Sequence, residues 1–232
     1  MQQKTYYKQG LRDGVPIALG YLSVSFAFGI TAVGGGLTAA QAVLISMTNL
    51  TSAGQVAGLS LMLSAASLAE MAATQLIINL RYALMSLSLS QKLSDSVTRA
   101  GRFLIAFFNT DEIFAVASSG GAVTTPYMLG LGTLPWLGWA GGTLLGAVAG
   151  ELLPASVTAA LGMAIYGMFI AIVAPAAKKS RAVLCVVAAA AGLSLFLCYC
   201  VPAVSSGFAI ILCAVAASAF GALVFPVKEA AE

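Results

Sequence analysis

The chain of 232 residues is 60% hydrophobic and only 8% charged, with a net charge of +3 and no histidine. A soluble domain carries about 25% charged residues, so this chain cannot cover a soluble surface. Without histidine it lacks the commonest general base and metal ligand, and we expect neither an enzyme nor a metal or cofactor site. The positive charge is spread over short loops, which is typical of orientation in a membrane and does not indicate a nucleic-acid surface.

Apolar residues are gathered in eight runs separated by short links. Most runs approach the roughly 20 residues that an α-helix needs to cross about 30 Å of hydrocarbon. They do not alternate apolar with polar residues as barrel strands do, so helices are the remaining solution in lipid. We predict an all-α polytopic integral membrane protein, a bundle of about seven to eight hydrophobic segments in a single transmembrane domain over 1–232. The segments are 15–33, 39–63, 68–89, 103–119, 127–149, 155–177, 182–201 and 207–224.

Positive charge is concentrated at the N-terminus, at 92–102, at 178–181 and at Lys228. The positive-inside rule favours the cytoplasm for all four clusters. Eight crossings would leave the second cluster outside, whereas six crossings with segments 2 and 5 re-entrant would bring all four inside. Both arrangements place the N-terminus and 178–181 in the cytoplasm. A third alternative is a pair of three-helix repeats of opposite orientation, 15–89 and 103–177.

The densest polar cluster lies inside segment 2. Either this segment is a continuous helix with polar side chains that bind neighbouring helices, or it is unwound. We favour an unwound stretch, because its free backbone groups would suit a substrate carboxylate or ammonium. The cluster consists of Asn49, Thr51, Ser52, Gly54 and Gln55. Segment 5 also carries helix breakers, at Gly130, Gly132 and Pro135.

Charges in the middle of segments 3 and 4 are costly in a membrane, so each is a functional hypothesis. Arg81 lies mid-way along segment 3, and Asp111 and Glu112 lie mid-way along segment 4. Glu70 and Thr74 share a helix face with Arg81, since eleven residues turn an α-helix to within about 20° of its starting direction. These residues form either an internal ion pair that only holds helices together or, as we favour, a polar transport path. Adjacent acids point about 100° apart, so one would pair with Arg81 and the other would carry protons.

Glycine recurs every fourth residue in segment 5 and forms one stripe on the helix. Small residues in such a stripe let a second backbone approach closely. The sequence leaves open whether that neighbour is a helix of this chain or of another protein. The stripe consists of Gly138, Gly142, Gly146 and Gly150.

Four short runs give the sequence a family resemblance: SFAFG at 25–29, NLTSAGQ at 49–55, NLRYALMS at 79–86 and TDE at 110–112. Together with MFIA at 168–171 and Pro175, their order and spacing resemble the AzlC-type family of branched-chain amino acid exporters over nearly the whole chain. The resemblance implies the large subunit of a two-component exporter whose partner is a small AzlD-type membrane protein. It also implies outward movement of leucine, isoleucine, valine and sometimes methionine, driven by the proton gradient.

Two classes of function compete. The first is a secondary transporter in the cytoplasmic membrane that exports small apolar amino acids. The second is a non-transporting scaffold or assembly subunit, which would explain the glycine stripe but not the costly charges. We favour the transporter, in which Asn49, Thr51, Ser52 and Gln55 bind the polar groups of the substrate and Phe26, Phe28 and Met85 bind its side chain.

Overall fold

The computed structural model describes residues 2–152, 154, 156 and 164–226, and over these residues it is almost entirely helical. The part of the chain that it describes forms ten helices. They are α1 (Gln2–Gly34), α2 (Ala39–Thr48), α3 (Ser52–Leu63), α4 (Leu68–Ser90), α5 (Arg99–Phe107), α6 (Asp111–Ser119), α7 (Thr125–Leu152), α8 (Ala164–Lys179), α9 (Arg181–Cys200) and α10 (Ser206–Val224).

Three helices among the described residues are long and apolar enough to cross a membrane, over Lys4–Gly34, Arg181–Cys200 and Gly207–Val224. Large apolar side chains such as Leu184, Leu195 and Phe196 of α9 are exposed, as lipid-facing side chains are. The predicted all-α polytopic membrane fold is confirmed. The first helix begins well before the predicted residue 15, because its polar first turns continue the apolar helix.

Two predicted segments are each divided into two helices. Segment 2 is interrupted at Asn49–Thr51 and segment 4 at Phe108–Thr110. The six-crossing alternative needed a re-entrant segment 5, but α7 runs unbroken through Pro135. Segment 6 is described at residue 156 and from Ala164 onward. The predicted repeats do not match element by element, since the interrupted segment is second in one and first in the other.

The chain forms two compact units. The first comprises Met1–Val56 and Asn79–Ile165, and the second comprises Ala57–Ile78 and Tyr166–Glu232.

In the first unit α1 and α7 pack in parallel along nearly their whole length. Gly10 of α1 lies against Tyr127 near the start of α7, and Ile30 lies against Gly150 near its end. Glycines bring the two backbones into contact: a methyl group at Gly138 would lie 2.6 Å from the Ala18 carbonyl oxygen. Gly142 and Gly146 meet the carbonyl groups of Leu22 and Phe26 in the same way. The neighbour of the predicted stripe is therefore α1 of the same chain.

Several other segments of the first unit lie beside the start of α7 and therefore at the same end as the N-terminus of α1. Val123 exchanges backbone hydrogen bonds with Lys92 and Ser94, with N···O distances of 2.8 and 2.9 Å. A methyl group at Gly101, in the first turn of α5, would contact Thr125. At the other end of α5, Phe108 lies against Gly132. We call the end that carries Lys92 and Val123 the N-terminal end of the first unit.

In the second unit α9 and α10 form an antiparallel pair. Val186, near the start of α9, lies against Gly221, near the end of α10. The basic residues Lys178, Lys179 and Arg181 are consequently at the opposite end of this pair from the turn that precedes α10.

Candidate functional site

The α2–α3 break (Asn49–Thr51) approaches the middle of α7 from the end opposite to the N-terminal end. The carbonyl group of Met47 accepts a hydrogen bond from Trp136 Nε1 at 2.9 Å. Thr51 Oγ1 donates to Asn49 Oδ1 at 2.8 Å. Leu50, the residue between them in the sequence, is buried. The helix resumes at Ser52, and the Gln55 N–H donates to the Thr51 carbonyl group at 2.8 Å. The predicted interruption is confirmed, but it covers only the first three of the predicted residues 49–55.

Gln55 lies at the centre of a buried hydrogen-bond network. Its amide oxygen accepts from Trp139 Nε1 at 2.9 Å, and its Nε2 donates to Ser46 Oγ at 2.6 Å. Ser46 Oγ in turn lies 2.7 Å from Thr143 Oγ1. All four side chains are almost fully buried. The network joins α2 and α3 to α7. The amide oxygen and the amide nitrogen of Gln55 therefore each have a protein partner already.

The α5–α6 break (Phe108–Thr110) corrects the position predicted for the two acids. Thr110 is the N-cap of α6, and its hydroxyl accepts from the Ile113 N–H at 3.4 Å. Asp111 and Glu112 therefore occupy the first turn of a helix and not the middle of one. The partial positive charge of a helix N-terminus stabilises carboxylates at this position.

Asp111 is the acid that pairs with Arg81. Arg81 Nη1 lies 2.6 Å from Asp111 Oδ2, and each side chain is 43% exposed. The guanidinium also donates to the Tyr82 hydroxyl at 3.2 Å and lies over the ring of that tyrosine. The ion pair joins α4 to α6 within the first unit.

Glu112 has a hydroxyl partner instead. The Tyr21 hydroxyl lies 2.6 Å from Glu112 Oε2 and 2.6 Å from Thr110 Oγ1. Because a hydroxyl has one hydrogen, Tyr21 can donate to the carboxylate only while it accepts from Thr110. Glu112 is exposed, whereas Tyr21 and Thr110 are buried. A short chain of hydroxyl groups thus leads from the carboxylate into the interior.

Glu70 belongs to the second unit and is buried. Its carboxylate accepts from the Gly207 N–H at 3.0 Å and from the Ser205 hydroxyl, at the N-terminus of α10. Thr74 is fully buried, and its hydroxyl has no hydrogen-bond partner among the described residues. A methyl group at Gly207 would lie 2.9 Å from that hydroxyl. This carboxylate caps α10.

The first unit contains a cavity of about 220 Å³ between the ends of α4 and α5. Its polar wall includes Asn109, whose Nδ2 donates to Ser86 Oγ at 2.9 Å. None of the residues that line the cavity is among the predicted site residues. The cavity is lined by Ser86, Leu89, Ser90, Leu93, Arg102, Ile105, Ala106 and Asn109.

Comparison with known proteins gives the family. The model of the AzlC protein family matches residues 16–153, which include both breaks, the Arg81–Asp111 pair and the glycine stripe. The chain belongs to the AzlC family. It is 30% identical over 203 residues to the inner membrane protein YgaZ of Escherichia coli, covering 82% of each chain. It is 31% identical over 180 residues to an uncharacterized membrane protein of Archaeoglobus fulgidus, covering 77% of this chain and 79% of the relative. No solved structure matches.

In this AzlC-family protein the predicted site residues are only partly brought together. Arg81 and Asp111 are in contact, and Glu112 lies beside them in sequence with its own partner. Glu70 and Thr74 both lie beside Gly207 in the second unit. A path from them to Arg81 stays a prediction. The family and the polytopic fold together support a role connected with membrane transport.

The predicted apolar substrate residues are spread along two helices. Phe28 is fully buried within α1, and Phe26 presents its carbonyl group to Gly146. Met85 is half-buried on α4, one residue before Ser86 of the cavity wall. None of the seven predicted substrate-binding residues lines the 220 Å³ cavity. Their role in substrate binding stays a prediction.

Proposed function

We propose that this protein is a secondary transporter that exports branched-chain and similar apolar amino acids across the cytoplasmic membrane. The export is coupled to protons and involves a small AzlD-type membrane subunit. The observation that carries the proposal is the pair of interrupted segments in the first unit, whose breaks place Leu50 and Phe108 in one buried cluster. Irregular backbone at membrane depth is tolerated only inside protein or beside a water-filled cavity, and it is typical of transporters.

The coupling role falls to Glu112 in this proposal. Asp111 is neutralised by Arg81 at 2.6 Å and stabilises the contact between α4 and α6. Within the part of the chain that the structure describes, Glu112 forms no salt bridge, and it is held by the Tyr21 hydroxyl. That hydroxyl can break and remake its hydrogen bond as the carboxylate is protonated. A carboxylate that alternates between two protonation states suits proton exchange better than one held in an ion pair.

The N-terminal end of the first unit is cytoplasmic in this proposal. Lys4, Lys8, Arg12 and the basic residues of 92–102 all lie toward that end, which the positive-inside rule assigns to the cytoplasm. In the second unit the same rule assigns the end with Lys178, Lys179 and Arg181 to the cytoplasm. The α5–α6 break is then entered from the cytoplasmic side, and the α2–α3 break from the other side.

Asn49, Thr51 and Ser52 remain proposed substrate contacts, because all three are half-buried at the α2–α3 break. Gln55 has a structural role in this proposal, since its amide oxygen is bonded to Trp139 and its amide nitrogen to Ser46. The scaffold alternative loses its sequence argument, because the glycine stripe is already covered by α1.

The test is counterflow in liposomes that contain the purified protein with its small subunit. We expect labelled leucine to enter liposomes preloaded with leucine, isoleucine or valine, and a pH gradient to drive net movement. Liposomes with the small subunit alone are the control. Folded protein that exchanges no amino acid in either orientation would refute the proposal.

A further inference from the structure

The 220 Å³ cavity in the first unit has an amphiphilic wall. Leu89, Leu93, Ile105 and Ala106 supply apolar surface, and Arg102 supplies an exposed guanidinium toward the start of α5. Asn109 and Ser86 supply polar groups at the other end of α5. Because α5 begins at the N-terminal end of the first unit, Arg102 lies nearer that end and Asn109 lies deeper. The cavity is small, which suits a ligand of few atoms.

Asn109 is the residue that points to a ligand. The residue is only 5% exposed, and its Nδ2 donates a hydrogen bond to Ser86 Oγ. Its Oδ1 is buried with no hydrogen-bond partner in the part of the chain that the structure describes. A buried acceptor without a donor is unfavourable, and buried polar groups in proteins nearly always find a partner. An ammonium group of a ligand has three donors and would satisfy this oxygen.

The remaining walls fit the rest of an apolar amino acid. The aliphatic side chains of Leu89, Ile105 and Ala106 suit a branched hydrocarbon side chain by burying it from water. Arg102 is the cationic group of the wall, and guanidinium groups bind carboxylates through paired N–H donors. Arg102 lies five residues before the end of α5 at Phe107, about 7.5 Å along the helix axis, and Asn109 follows in the break. An arginine side chain is long and flexible enough to meet the carboxylate of a ligand whose ammonium group approaches the deeper amide.

We propose that this cavity is the cytoplasmic entry site for an amino acid with an aliphatic side chain, whose ammonium group binds Asn109 Oδ1 and whose carboxylate is drawn in by Arg102. This inference rests on the proposed function. Asn109 lies directly before Thr110, which shares the Tyr21 hydroxyl with Glu112. The proposed ligand-binding residue Asn109 is therefore three residues from Glu112, the proposed proton carrier.

The test separates the two charged ends of the ligand. Binding of leucine, of leucinamide, which lacks the carboxylate, and of 4-methylpentanoate, which lacks the ammonium, is measured with the purified wild-type complex and two variants. Arg102→Gln is expected to weaken leucine and 4-methylpentanoate about tenfold and to leave leucinamide unchanged, since one charged hydrogen bond is lost. Asn109→Leu is expected to weaken leucine and leucinamide about tenfold and to leave 4-methylpentanoate unchanged.

Two further variants guard the interpretation. Arg99→Gln is the matched control, because Arg99 is an exposed arginine of the same helix that does not line the cavity. Asn109→Asp decides the question if Asn109→Leu does not fold, because a carboxylate there should bind leucinamide more tightly than the wild type does.

The outcomes are distinguishable from failure of the proposed function. If the wild type exchanges leucine while both variants bind all three ligands as the wild type does, the cavity is not the entry site and the transporter proposal stands. If the wild type exchanges no amino acid, the proposed function fails first. A phospholipid that co-purifies with the wild type and is lost from Arg102→Gln would also overturn the inference, because it would show a lipid site.

Discussion

The two breaks in the first unit differ in how their polar groups are satisfied. At the α2–α3 break the polar residues are bonded to one another and to α7, through Gln55, Ser46 and Trp139. At the α5–α6 break one buried amide oxygen, that of Asn109, has no partner among the described residues, and a cavity lies beside it. The first break was the more conspicuous in the sequence, yet the second has the charges and the free space.

This contrast shows that a dense run of polar residues in a membrane segment can serve structure. A buried network with every member paired fixes one conformation, because each lost partner leaves an unsatisfied group in a medium of low dielectric constant. A break with an unpaired acceptor and half-exposed charges can exchange partners with a ligand.

The largest effect is expected from Gly142→Leu, which would separate α1 from α7, the helix against which both breaks pack. A leucine there would collide with the Leu22 carbonyl group and the Ser25 side chain of α1, and we expect a loss of stability above about 3 kcal/mol or no folded protein. Gly141→Leu is the matched control, because a side chain at Gly141 meets nothing within 4 Å. Yield and thermal unfolding in detergent measure the difference. Equal stability of the two variants would show that α1 and α7 do not pack as described.

Glu112→Gln tests the functional side of the comparison. We expect it to abolish export driven by a pH gradient and to leave leucine exchange intact, because exchange needs no net proton movement. The glutamine can still accept the hydrogen bond from Tyr21, so the thermal midpoint should change little. Gradient-driven export and counterflow are measured on the same liposome preparation. Normal gradient-driven export by this variant would remove Glu112 from the coupling mechanism.

Gln55→Leu tests the structural side. The substitution leaves the Trp139 N–H without its acceptor in a buried site, which costs about 1–3 kcal/mol. We expect a lower thermal midpoint and an unchanged KM for leucine exchange by the protein that folds. Asn109→Leu should show the opposite split, with a raised KM and a smaller loss of stability. A raised KM for Gln55→Leu at unchanged stability would show that Gln55 binds substrate and is not only structural.

Asp111→Asn should have a smaller effect on stability. The variant strands the Arg81 guanidinium, but both side chains are 43% exposed, so we expect a cost of about 1 kcal/mol. Arg81→Met in the same chain should partly restore the thermal midpoint, because it removes the unpaired charge. If the double variant is less stable than Asp111→Asn by the full cost of Arg81→Met alone, the two residues do not interact energetically.

The smallest effect on activity is expected from cysteine substitutions that report orientation. In a background without the native cysteines, Lys92→Cys and Lys179→Cys should resist an impermeant thiol reagent applied to intact cells. Gly35→Cys, at the far end of α1, should react with it and serves as the positive control. Labelling at position 92 from outside would mean that the α5–α6 break opens to the other side of the membrane.

The helical membrane fold followed from the sequence because apolar runs of membrane length have few alternatives. The α2–α3 break was predictable from the small polar residues around Asn49. The α5–α6 break was missed because Asn109 and Thr110 lie within an otherwise apolar run, although Thr110 followed by two acids is a typical start of a helix. A signal was therefore present, but it was interpreted as charge inside a helix.

The glycines and the proline of segment 5 do not break α7, and the reason is packing. Gly130 and Gly132 are required by close neighbours, the backbone of Tyr7 and the ring of Phe108, and so do not interrupt the helix. Pro135 is accommodated where Gly14 of α1 comes close to it. The choice of Asp111 over Glu112 as the partner of Arg81, and the cavity beside Asn109, depend on the path of the chain at the second break. Spacing along the sequence cannot give either.

The parallel contact between α1 and α7 has a consequence for synthesis on the ribosome. Gly10 and Tyr127, which touch in the folded chain, are separated by more than a hundred residues. At about 5–20 residues per second, α1 leaves the ribosome on the order of ten seconds before its partner exists. During that interval the glycine-rich face of α1 is in contact with lipid or with the insertion machinery. Although α1 is made before the other described helices of the first unit, its long contact with α7 is therefore among the last to form.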